Sequence, residues 1–257
     1  MENHQKLRKL YPLLSVISIL MVIGLWISIS SANPEILPTP HMVLDRYLLM
    51  LDRPIKKTSL LGHILASLSR VGTALIFAWV FGISFGILIG WNRTAKALFG
   101  TIFELFRPIP PIAWVPIVIM WFGVGEFPKL LIVFIGTIVP VVINTCAGIR
   151  MVDSINVDVG KMFGGNQRQI LFEIVAPTAM PSIFAGIRTS VSTGWTVVLA
   201  AEMLAADKGL GFLVQRGMEG GDIPLVVLSI VCIGIVGVLL AVALNLAERW
   251  VCPWNVE

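Results

Sequence analysis

Residues 158–181 read DVGKMFGGNQRQILFEIVAPTAMP, a polar, glycine-punctuated interruption between two of the most apolar stretches of the chain. Its neighbours, 129–149 and 179–203, are each long and apolar enough to cross a bilayer as a helix, which takes about 20 residues. A tight turn would join two such helices, yet the segment 151–178 is far longer than a turn. It divides into a helical run, SINVDVGKMF, a break at Gly164–Gly165, and a second helical run, NQRQILFEIV, expected to end before Pro177. Met162 and Phe163 then face water rather than lipid. An apolar tip with a polar rim is a docking surface for another protein.

The rest of the sequence explains why such a loop exists. The 257 residues are 56% hydrophobic and 13% charged, with a mean hydropathy of +0.88. Soluble domains carry about 25% charged residues, so this is a membrane protein. Apolar runs at 11–30, 65–91, 97–121, 129–149, 179–203 and 224–246 predict an all-α fold with six transmembrane helices. A β-barrel would alternate polar and apolar residues, and these runs do not. The net charge of +4 contains no cluster of more than two adjacent cations, which argues against a nucleic-acid partner. Cys146, Cys232 and Cys252 lack metal-ligand spacing and read as small apolar filler.

The start, MENHQKLRKL, is basic, and the apolar run after it has no small-residue cleavage pattern, so it reads as a retained first helix. Six spans put both termini on one side, and Lys6, Arg8 and Lys9 make that side cytoplasmic. Arg93, Lys96, Arg150, Lys161, Arg168 and Arg249 then fall inside, while the first outward loop holds Arg46, Arg53, Lys56 and Lys57. The expected layout is a cytoplasmic N-terminus (1–10), a peripheral first helix (11–30), an outward loop (31–64), a core (65–249) and a cytoplasmic tail (250–257). In the outward loop, NPEILPTP precedes a short amphipathic helix expected to pack over the outer end of the bundle.

Within the core, Gly82, Gly86 and Gly90 repeat every four residues and predict close helix packing. Pro108, Pro110, Pro111 and Pro116 forbid a regular third span. Broken backbone at membrane depth must be buried in protein or line a wet cavity, so this span should face the interior of a bundle. Glu104 and Arg107, three apart, can pair as a structural bridge or serve a substrate. Arg188, Ser192, Trp195, Leu199 and Glu202 recur at helical spacing and share a face of the fifth span. That face lines a path through the membrane, or else its end charges reach the headgroups. Trp114 is assigned to the same path. His4, His41 and His63 lie outside the hydrophobic centres, without a ligand or triad partner.

The opening stretch resembles the signature of ATP-binding-cassette importer permeases: Glu-Ala-Ala, three residues, Gly, and a distal Pro. Asp158, Val159 and Gly160 stand where Glu-Ala-Ala is expected, with Gly164 and Pro177 at the matching positions. RPIPPIAWVPIVIMWFGVGEFPK (107–129), VINTCAGIR (142–150), PSIFAGIRTSVSTGW (181–195), AAEMLAADKGLGFLV (200–214) and the terminal CPWN resemble the nitrate/sulfonate/taurine branch. The resemblance implies a type I importer permease fold, with the loop as a coupling helix seated in an ATPase groove through Asp158, Val159, Gly160, Met162, Phe163, Gly164 and Pro177. It also implies a bacterial inner-membrane homodimer, two ATPase subunits, and a periplasmic or lipid-anchored binding protein. The implied substrate is a small anion, taurine or another sulfonate first, with nitrate, bicarbonate, or a pyrimidine or flavin precursor as alternatives. No G-x-x-x-x-G-K-[ST] loop occurs, so ATP and Mg are expected on the partner ATPase, with no cofactor in this chain.

A secondary transporter would show inverted repeats with matching breaks, and the proline-broken third span has no counterpart in the sixth. A membrane enzyme lacks a recognisable catalytic set, and a channel lacks a filter ring.

Overall fold

Helices in lipid associate through close backbone approach rather than hydrophobic drive, and the glycine repeat sets the centre of this fold. The computed structural model describes the backbone of residues 2–251 and the side chains of Leu14, 16–204 and 206–248. The terminal CPWN lies outside the described residues, as do most of the tail and the side chains of Lys6, Arg8, Lys9 and Arg249. Gly82, Gly86 and Gly90 press α3 (Leu60–Trp91) onto α6 (Glu126–Met151), and a Cβ at Gly86 would lie 2.6 Å from the Cβ of Thr145. The opposite side of α6 packs as closely on α8 (Gln167–Leu204), making α6 the middle of a three-helix slab. One apolar core, with Val71, Leu75, Val133, Trp195, Leu213 and Leu225, joins the slab to α9 (Leu210–Glu219) and α10 (Ile223–Val251).

α1 (Glu2–Ala32) leaves its described apolar side chains largely exposed and touches the rest through Trp26, whose indole donates to the Pro38 carbonyl at 3.1 Å. The expected amphipathic helix is α2 (Pro40–Asp52), capped by the Thr39 hydroxyl. It buries Met50 and ties to the start of α10 through Arg46 and Asp222 at 2.6 Å.

Among the described residues four helices, α3, α6, α8 and α10, are long and apolar enough to cross a membrane. The third span departs from the continuous run expected at 97–121. It is two helices, α4 (Arg93–Phe106) and α5 (Pro111–Phe122), meeting at 89°. Pro108, Pro110 and Pro111 remove three backbone donors at the bend. One face of this span packs inside the chain, where Val115 and Val118 are buried with Ile132 and Ala201, and the other is open, with Leu105 70% and Met120 80% exposed.

The fifth span corrects another boundary. The run from Gln167 does not stop before Pro177 but continues into the membrane helix. Residues Ile170–Val175 widen into a π-helical turn, with the Ala176 amide donating to the carbonyl of Leu171, five residues back. A widened turn just before Pro177 accommodates the missing donor and the ring without ending the helix.

Candidate functional site

The docking loop is built by a helix stop. Asp153 caps α7 (Ser154–Met162) by accepting from the Ile155 amide at 2.9 Å. At its other end the Gly164 amide donates to the Lys161 carbonyl at 2.9 Å, and the Gly165 amide to the Gly160 carbonyl at 3.0 Å. This paired closure needs a left-handed residue, supplied by Gly164 at φ +80°. Asn166 and Gln169 then form a capping box that starts α8. α7 is thereby folded back on the foot of α8.

Gly160 occupies the tight point of that fold-back. A Cβ there would meet the Ile174 Cδ1 at 2.6 Å, so the alanine of the resembled pattern would have to displace the tip of that side chain. Asp158 pairs with Lys161 at 2.9 Å on the solvent side, and Val159 is half exposed. Met162 is 87% and Phe163 90% exposed, beside Met151, Ile155 and Phe172, also exposed. Pro177 lies about three turns into α8 and makes no part of this apolar tip. The loop therefore brings Asp158, Val159, Gly160, Met162, Phe163 and Gly164 into one knob, and leaves Pro177 inside α8.

Part of the membrane stripe shares one space: Arg188, Ser192 and Trp195 line a cavity of about 560 Å³ between α8 and α10, and Leu199 and Glu202 lie outside it. Trp195 is 8% exposed, packed in the core with its indole donating to the Ile233 carbonyl at 3.2 Å. Glu202 is 1% exposed, and Leu199 is half-buried against the same core. Arg188 is ion-paired with Glu248 of α10, and Ser192 alone of the set is exposed without an ionic partner. The physical cause is rotation: α9 and α10 cover the side of α8 that carries Trp195 and Glu202. The face left open carries Thr189, Ser192, Thr193 and Thr196, with Thr193 only partly exposed. Trp114 stacks on Phe106 across the α4–α5 bend at 6.0 Å and lines an apolar cavity of about 510 Å³.

Glu202 instead anchors a buried cluster. Its carboxylate accepts from Arg70 at 2.6 Å, Ser67 at 2.8 Å and the Gly211 amide at 3.0 Å. Arg70 also holds Glu126 through two bonds, at 2.7 and 2.8 Å, and Glu126 accepts from Lys129 at 2.9 Å. His63, in the first turn of α3 and outside the hydrophobic centre of that span, is fully buried and accepts from the Gly209 amide at 3.1 Å. The cluster fastens α3, α6, α8 and α9 together. Its sequence signal was Arg70, the single Asp, Glu, Lys or Arg between 60 and 91, since a lone charge in an apolar span requires a partner.

Glu104 and Arg107 do pair, at 3.0 Å on an exposed face. Among the described residues no group of three or more His, Cys, Asp or Glu could hold a metal.

Comparison with known proteins agrees with this architecture. Residues 82–254 match the family described as binding-protein-dependent transport system inner membrane component. The taurine transport system permease protein TauC of Escherichia coli (strain K12) is 33% identical, over 95% of this chain and 90% of that protein. The bicarbonate transport system permease protein CmpB of Synechococcus elongatus is 31% identical, over 94% of this chain and 89% of that protein. An inward-facing structure of the MetNI methionine ABC transporter superposes with a TM-score of 0.67 at 18% identity, over 75% of this chain and 95% of that one. The chain therefore belongs to the binding-protein-dependent transport system inner membrane components, as a multi-pass permease of the ABC-importer type.

Proposed function

We propose that two copies of this chain form the membrane path of an ATP-driven importer of a small anion, with α7 as the coupling helix. The observation that carries this reading is the knob. A Gly164 helix stop holds Met162 and Phe163 almost wholly outside the chain, where leaving them in water is unfavourable by about 1.5–3 kcal/mol per large apolar side chain. An ATPase groove is the natural cover, one ATPase subunit per chain, with ATP and Mg bound there. A periplasmic or lipid-anchored binding protein delivers the substrate at the opposite end, and both termini lie in the cytoplasm.

The named relatives support a small-anion substrate class, since taurine carries a sulfonate and bicarbonate is itself an anion. A sulfonate such as taurine is the first choice, bicarbonate or nitrate the second. The path runs along the open hydroxyl face of α8, Thr189, Ser192, Thr193 and Thr196. The threonine hydroxyls rest on carbonyls four residues back and can rotate toward a passing anion. Arg188 and Trp114 border it.

The test is co-purification with the ATPase encoded beside this chain. Met162→Asp with Phe163→Asp should strip the ATPase from the detergent-solubilised complex while the permease stays folded. Full retention of the ATPase by that variant would refute the knob as the docking element.

A further inference from the structure

A second feature lies beside the docking knob and is not used by it. α4 opens with Arg93 and Lys96, ends toward Arg107, and runs past the last turn of α6, which carries Arg150. These four cations line one cavity of about 690 Å³. Glu104 is the single carboxylate on its wall, and it is already engaged by Arg107 at 3.0 Å. Arg150 is steadied by donating to the Ile89 carbonyl at 2.8 Å. Arg93 and Lys96 have no anionic partner among the described residues and are exposed.

This basic cavity does not end in water on all sides. Phe103, Arg107, Val142 and Ile143 also line the cavity at the α4–α5 bend. Beyond Arg107 that second space, about 510 Å³, offers aromatic and aliphatic walls and a single hydroxyl, Thr193. A small hydrated anion finds four cations around the first space, and in the second only Arg107 and the Thr193 hydroxyl on an otherwise apolar wall. An amphiphile with a phosphate at one end and hydrocarbon at the other fits both.

We propose that this paired cavity binds an anionic phospholipid, the phosphate held by Arg93, Lys96 and Arg150 and an acyl chain lying along Phe103, Val139 and Ile143. Basic pockets between helices at the cytoplasmic face take anionic headgroups by charge, and the apolar arm accommodates the acyl chain that a lipid carries and a free anion lacks. The assignment rests on the membrane placement proposed above, and its apolar arm borders the proposed path at Trp114 and Thr193.

The experiment is lipid retention. The purified permease is incubated with detergent micelles holding equal phosphatidylglycerol and phosphatidylcholine, washed, and its bound lipid measured by mass spectrometry. Wild type should hold phosphatidylglycerol in clear excess. Arg93→Gln with Lys96→Gln should weaken that retention roughly 25-fold, at about fivefold for each cation near a membrane surface, with thermal unfolding unchanged. Val139→Trp, which fills the apolar arm without altering charge, should lower retention of the diacyl lipid as well. Millimolar inorganic phosphate or nitrate should not displace the lipid. Equal retention of both lipids, or no loss in the charge variant, overturns the site. Displacement by free phosphate or nitrate assigns the cavity to soluble anions instead. The assay involves no transport and no ATPase, so its failure and a failure of the importer reading are separable.

Discussion

Where α3, α6, α8 and α9 meet, Arg70, Glu126, Lys129 and Glu202 satisfy one another inside the chain, and Glu202 is 1% exposed. At the end where α7 folds back, Met162 and Phe163 stand 87% and 90% exposed, with no described residue over them. The first end is fastened and the second left open. The difference teaches where each part draws its stability. Buried charges tolerate no missing partner, so the fastened end must be complete within one chain. The open end makes its apolar contacts only in an assembly, so its residues are free of the single chain's stability and answerable to coupling.

Removing one partner from the fastened end should have the largest effect. Arg70→Ala leaves Glu202 as an uncompensated buried charge and should destabilise the purified permease by about 3–5 kcal/mol, read as a fall in Tm in detergent. Replacing both together, Arg70→Met with Glu202→Leu, should recover much of that loss. A single variant as stable as wild type would dissolve the contrast between the two ends.

The next effect should come from Gly164→Val. No atom lies within 4 Å of a Cβ at this position, so the penalty is conformational. A non-glycine residue held left-handed costs about 1–2 kcal/mol. The loss of transport should be far larger than that figure suggests, because the helix stop that aims Phe163 is undone. Normal transport with normal ATP hydrolysis would sink the coupling role of α7.

How far these ends were legible differs for physical reasons. The knob could be read directly: Gly164 and Pro177 are chemically singular residues, and apolar side chains in a polar loop have few explanations. The rotation of α8 could not. Arg188, Ser192, Trp195, Leu199 and Glu202 do share a helical face, but which neighbour covers that face is decided by α9 and α10, elements far along the chain. The 89° bend was readable as a break from its prolines, and its angle was not. The buried cluster announced itself only through Arg70, and its partner Glu202 sits 132 residues away.

A smaller effect should follow Phe163→Ala. Its ring is exposed, so the stability of the isolated chain should shift by no more than about 0.5 kcal/mol, while ATPase coupling falls. A marked loss of Tm would mean that Phe163 is packed within the chain after all. Smallest of all should be Lys56→Ala. The Lys56 ammonium holds the Asp207 carboxyl below its ordinary range, so whatever this pair contributes is present at neutral pH and lost as pH falls through that lowered value. Asp207 is fully solvent-exposed, and exposed pairs contribute little, so the unfolding curve should not move. A clear shift would place the pair with the fastened end rather than on its surface.

The central claim is that the open end waits for an energy-coupling partner. The purified chain is reconstituted in liposomes and uptake of labelled taurine, bicarbonate or nitrate is measured, with and without its ATPase subunits, binding protein and ATP. The account predicts uptake of one of these anions only when all components and ATP are present. Uptake by the chain alone, driven by a proton or sodium gradient, would contradict it.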